Sequence, residues 1–159
     1  MEMSWILPVD TGLVEGYPPT LHVEGRELRL KEELHLTVMN RALSARLKAH
    51  PRASVLQATV RAFMDAVGGS LCERLTDTAW VLWEGEALTV AAPLELPEML
   101  ALYLSLSEMG LPVAPPAPHI TLYMAGTAKG IGVQDEVALS QHLLFRCTLR
   151  ELLVAEPLH

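Results

Sequence analysis

Cysteine is nearly absent from this chain. Cys72 and Cys147 are the only two, and neither sits in a CxxC or metal-ligand spacing. That excludes a disulfide-stapled scaffold and a cysteine-built zinc site. No apolar run approaches the roughly 20 residues a helix needs to cross a bilayer. The usual nucleotide and hydrolase signatures are missing as well: no Walker loop, no GxGxxG, no GxSxG elbow and no HExxH. Gly68-Gly69-Ser70 lacks the residues that would make it a phosphate loop. The first ten residues are acidic and too short for a secretory signal, so a cytoplasmic protein with reduced, buried thiols and no membrane association is the expectation.

What is present is a hydrophobic, sparsely charged polypeptide. Half of its 159 residues are apolar and 19% are charged, which suits one folded domain over residues 1–159 with a proper core. The net charge of −7 argues against a surface for long nucleic acid. Its distribution is uneven. Residues 26–61 hold eight basic side chains (Arg26, Arg29, Lys31, Arg41, Arg46, Lys48, Arg52, Arg61) against three acidic ones, a local +5 that leaves −12 for the rest. A solvated helix face accounts for this, and so does an attractor for a phosphorylated substrate.

Two short stretches share one pattern. Residues 34–38 read Leu-His-Leu-Thr-Val and residues 118–122 read Pro-His-Ile-Thr-Leu. Both alternate as a strand does, so His35 and Thr37 share one face while Leu36 and Val38 share the other. His119 and Thr121 likewise point away from Ile120 and Leu122, and Tyr123 continues on the histidine side. Side by side, two such strands would offer two imidazoles and two hydroxyls to one cleft. Imidazole titrates near neutral pH, so one ring can take a proton from water while the other protonates a leaving oxygen. The threonine hydroxyls are placed to donate to non-bridging phosphate oxygens. His22 lacks the following hydroxyl residue and reads as a surface or half-buried side chain. A zinc site on His35 and His119 lacks further ligands in the sequence, so no metal and no cofactor is expected.

The surrounding pattern predicts strands at residues 20–24, 27–30 and 34–39, then a helix capped by Asn40 and reaching about residue 50. Pro51 fits the first turn of a second helix, whose apolar stripe runs through Leu56, Val60, Phe63 and Val67 to a stop at Gly68-Gly69. Residues 78–83 and 87–92 read as a hairpin. Trp80 and Trp83 fall on opposite faces of its first strand, so one at most can line a given cleft, and core packing or hairpin cover is the expected job of each. Residues 94–109 form a helix that is apolar almost all round, which predicts burial on several sides. Proline-rich residues 111–118 make a stiff lead-in to His119. A loop at 126–133, a short helix at 135–143 and a long strand at 144–154 complete the chain. Hairpins mixed with helices predict an α+β fold with largely antiparallel sheet.

The paired motifs His35-Leu36-Thr37-Val38 and His119-Ile120-Thr121-Leu122 resemble those of the 2H phosphoesterase superfamily, which includes 2′,3′-cyclic nucleotide phosphodiesterases and the bacterial 2′-5′ RNA ligases. The resemblance implies two pseudo-symmetric lobes of antiparallel sheet flanked by helices, with a central cleft between them. It also implies acid–base roles for His35 and His119, phosphate binding by Thr37 and Thr121, and a nucleotide or RNA-end phosphodiester as substrate. Many members follow the second motif with a basic residue. Here Tyr123 and Met124 stand there, and Tyr123 is a candidate substrate contact without charge. Lys129 and the 26–61 segment are candidate sources of the missing cation. A non-catalytic nucleotide or RNA-end binding protein using the same cleft is the alternative.

Overall fold

The computed structural model describes residues 4–125 and 136–154. Among the described residues eight strands form one sheet, six of them in the order β1-β4-β7-β6-β5-β8, and the pairings are antiparallel. β1 is Trp5–Val9, β4 is Leu34–Met39, β5 is Thr78–Glu84, β6 is Ala87–Pro93, β7 is His119–Ala125 and β8 is Leu143–Thr148. β2 (Thr20–Val23) and β3 (Arg26–Leu30) form a hairpin outside that path, and β3 also pairs with the far end of β7. Glu24 and Gly25 both carry positive φ in the β2–β3 turn, the conformation a two-residue hairpin turn of matching twist requires.

Three helices cover one face. They are α1 (Arg41–Lys48), α2 (Ala53–Val67) and α3 (Pro97–Glu108). The α1 helix opens where the Asn40 side chain accepts from the Leu43 amide at 2.8 Å. α2 starts two residues past Pro51, and its buried residues Leu56, Val60, Phe63 and Val67 are spaced to line one stripe. Together with Met99, Leu102 and Leu106 of α3 they enclose Leu36, Val38, Val90, Ile120 and Leu122 in a single core. The expected burial of α3 on more than one side is not found, since its buried residues Met99, Leu102, Tyr103 and Leu106 share one stripe. Leu100 and Leu104, one turn apart, are 51% and 57% exposed. The helix also begins at Pro97 rather than at residue 94, because proline is suited to the first helical position and not to the second turn.

The opposite face of the sheet carries a smaller cluster, in which Leu139 of α4 (Glu136–His142) packs on Trp80, Leu82, Ala87 and Ala91. β6 is consequently buried along its whole length. The long strand predicted at residues 144–154 is instead a strand followed by a helix, α5 (Leu149–Val154). Thr148 and Glu151 impose the break. The Thr148 hydroxyl accepts from the Glu151 amide at 3.0 Å, and the Glu151 carboxylate accepts from the Thr148 hydroxyl at 2.7 Å and, more weakly, from its amide at 3.4 Å. That reciprocal capping box starts a helix. Cys72 is exposed and Cys147 half-buried, so the expected burial of both thiols does not hold. No helix among the described residues is long and apolar enough to cross a membrane. The loop predicted at 126–133, with Lys129, lies outside the described residues.

Candidate active site at the β4–β7 seam

β4 and β7 are neighbours, joined in antiparallel register with Leu36 opposite Ile120. Alternation on either side of that pair sets His35 across from Thr121 and Thr37 across from His119. All four side chains therefore emerge on one face. Burial agrees. Leu34, Leu36, Val38, Ile120 and Leu122 are buried against the helices, while His35, His119 and Thr121 are half-buried and Thr37 is exposed. A local two-fold through the Leu36–Ile120 pair carries His35 onto His119 and Thr37 onto Thr121. The two imidazoles occupy diagonal positions, which in an antiparallel pair lie about 7–8 Å apart.

Each ring has its own surroundings. The Nδ1 of His119 lies 2.8 Å from the carbonyl oxygen of Ala117. A carbonyl only accepts, so Nδ1 carries the proton and the neutral ring presents its lone pair at Nε2. Ala117 is held between Pro116 and Pro118, which fixes the carbonyl two residues ahead of the ring it orients. The Trp80 ring packs on the same imidazole with centroids 6.0 Å apart and planes tilted by 48°. Burial lowers the His119 pKa below its ordinary 6.5, the Ala117 hydrogen bond raises it in part, and a charge on His35 lowers it further. Burial is also the leading cause that lowers the His35 pKa, followed by the Lys31 ammonium, with Glu33 acting in the opposite sense.

Lys31 is the cation that acts on His35. Its amide donates to the Leu122 carbonyl at 2.8 Å, which pins the segment before β4 against β7 and brings the ammonium within electrostatic reach of His35. It belongs to the basic 26–61 segment, although Glu33 of the same segment acts on His35 in the opposite sense. Lys31 carries no motif of its own, and only the strand pairing brings it to His35.

Tyr123 does not join the site. It is fully buried in the core, and its hydroxyl donates to the Pro18 carbonyl at 2.7 Å. The cause is a β-bulge. Val90 pairs with Tyr123 but Ala91 pairs with Thr121, so Leu122 is an extra residue on β7 and the alternation slips by one. Leu122 and Tyr123 both turn to the helix-covered side. An aromatic reaches the histidine face from another strand instead. Trp80 is buried beside His119, whereas Trp83 is 47% exposed. The contact of Trp80 with His119 is hidden in the sequence, since β5 and β7 become neighbours only through β6.

Among the described residues no group of three or more His, Cys, Asp or Glu side chains is placed to hold a metal ion. Comparison with known protein families, with characterised proteins and with solved structures finds no match.

Proposed function

We propose that the chain is a metal-independent phosphodiesterase of the 2H type, opening a 2′,3′-cyclic phosphate or cleaving a 2′-5′ phosphodiester of a nucleotide or RNA end. The observation that carries the reading is the register of the β4–β7 pair, which gathers His35, Thr37, His119 and Thr121 on one face in two-fold-related positions. The two-lobed description belongs to the same reading. One lobe is β4 with α1 and α2, and the other is β7 with the β5–β6 hairpin and α3. Their shared sheet is the floor of the cleft.

In hydrolysis of a cyclic phosphate, His119 is the general base. Its Nδ1–H is engaged by Ala117, so Nε2 is free to take a proton from the attacking water. His35 is the general acid that protonates the departing ribose oxygen. Mutual repulsion discourages simultaneous charging of the two rings, which favours the state with one proton on the pair. Thr37 and Thr121 donate to the non-bridging oxygens as charge builds there, and Lys31 stabilises the same charge. Each proton transfer is worth about 10²–10⁴-fold in rate.

The test is hydrolysis of 2′,3′-cyclic nucleotides with and without chelator. Turnover that survives chelator and is lost in His35→Ala and in His119→Ala is the expected result. Binding without turnover would instead identify a nucleotide or RNA-end binding protein, and the absence of both binding and turnover would end the proposal.

A further inference from the structure

A cavity of about 320 Å³ opens beside His119, lined by Trp80, Leu96, Met99, Leu100, Pro115 and Pro116 among others. It adjoins His119 on three counts. Trp80 packs on the His119 ring, Ala117 of the cavity wall accepts the His119 Nδ1–H, and Pro93 of the wall is the strand partner of His119. The volume is at the small end of what ligand sites occupy.

Its chemistry is one-sided. Among its lining side chains the Trp80 indole N–H is the single polar group. Four of the wall residues are prolines, which have no N–H to donate. The carbonyls of Ala117, Pro118, Pro93 and Leu96 already accept from His119, Leu94, Thr76 and Met99. A ligand edge rich in donors and acceptors would leave most of them unpaired there, at a cost in affinity. A flat apolar surface would gain from burial and from stacking on the indole.

Resting on the reading of His35 and His119 as the phosphate site, we propose that this cavity is the subsite for the organic group attached to the phosphodiester. It takes a flat apolar ring, whether nucleobase or simple aryl, and holds it by burial without reading its hydrogen-bonding edge. The exposed Leu100 on α3 forms the mouth of the subsite, which gives that uncovered residue a role. The enzyme would then select substrates by the apolar area next to the phosphate and tolerate any base of similar size.

Equilibrium binding measured by titration calorimetry tests this without requiring turnover. The probes are inorganic phosphate, 1-naphthyl phosphate, and the 2′-monophosphates of adenosine and inosine, two purines of like shape whose six-position edges differ. Naphthyl phosphate is expected to bind at least about tenfold tighter than inorganic phosphate, from the apolar area it buries. The two purine nucleotides should agree within about threefold, far less than the discrimination a hydrogen-bonding pocket achieves. In Leu100→Gln, a surface change on α3, the naphthyl advantage should shrink while inorganic phosphate binds as before, and Trp80→Leu should shrink that advantage as well. Equal binding of naphthyl and inorganic phosphate overturns the proposal. So does a tenfold or larger preference between the purines, or an advantage that survives both variants. Loss of the phosphodiesterase reading looks different: hydrolysis is absent while the naphthyl advantage remains.

Discussion

His119 has no choice of tautomer. The Ala117 carbonyl requires a proton on Nδ1, and that requirement makes Nε2 basic at any pH where the ring is neutral. Because burial lowers the pKa of both histidines below 6.5, the pH dependence of kcat/KM has a predictable sign. The base survives to lower pH than a free imidazole would, and the acid is lost as pH rises through its own lowered value. The bell for the free enzyme should therefore peak below about pH 6.5, where a maximum above about pH 7.5 would contradict the assignment. Tyr123 supplies the complementary expectation. Tyr123→Phe should leave turnover unchanged and lower stability by about 0.5–1.5 kcal/mol, because it removes a buried hydrogen bond to Pro18 and nothing from the cleft. Chemical denaturation alongside the cyclic-nucleotide assay separates the two effects.

The capping box at the β8–α5 junction makes a local claim that can be checked by itself. Glu151→Ala should cost about 0.5–2 kcal/mol in urea denaturation, and Thr148→Ala a similar amount, since either removes one arm of the box. Threonine with glutamate three places on is present in the sequence. Alternation of Phe145, Cys147 and Leu149 with polar neighbours masks it, which is why residues 149–154 read as strand. β4 is legible to the residue, because Leu-His-Leu-Thr-Val-Met alternates and Asn40 caps the helix beyond it. β7 is legible only as far as Thr121. The bulge at Leu122 depends on pairing with β6, and a single strand's alternation carries no record of its partner's register. Hence the alternation puts two histidines and two threonines on the face they occupy, and misplaces Tyr123.

In the molecule as a whole, the two half-buried histidines couple folding to pH. Their folded pKa values lie below the unfolded value, so the unfolded chain binds more protons in the window between them. Their contribution to stability is complete above about pH 6.5 and is lost as pH falls through the lowered values. The urea midpoint should therefore drop between about pH 7 and pH 5.5, with a shallower slope in the His35→Ala, His119→Ala double variant. Glu98 is silent in that window, because its paired hydrogen bonds from Arg74 hold its pKa down to about 2. The sequence carries the ingredients of the seam but not its closure. β4 and β7 are 84 positions apart from His35 to His119, and only the completed sheet decides that they adjoin.

The most direct test is a double-mutant cycle on kcat/KM for a 2′,3′-cyclic nucleotide, using His35→Ala, His119→Ala and the double variant. Groups that act on one ester as a unit are non-additive. Both single variants should fall about 10²-fold or more, and the double variant should lie within about tenfold of either. Either single variant retaining near wild-type turnover, or losses that simply multiply in the double variant, would show that the two imidazoles do not work together.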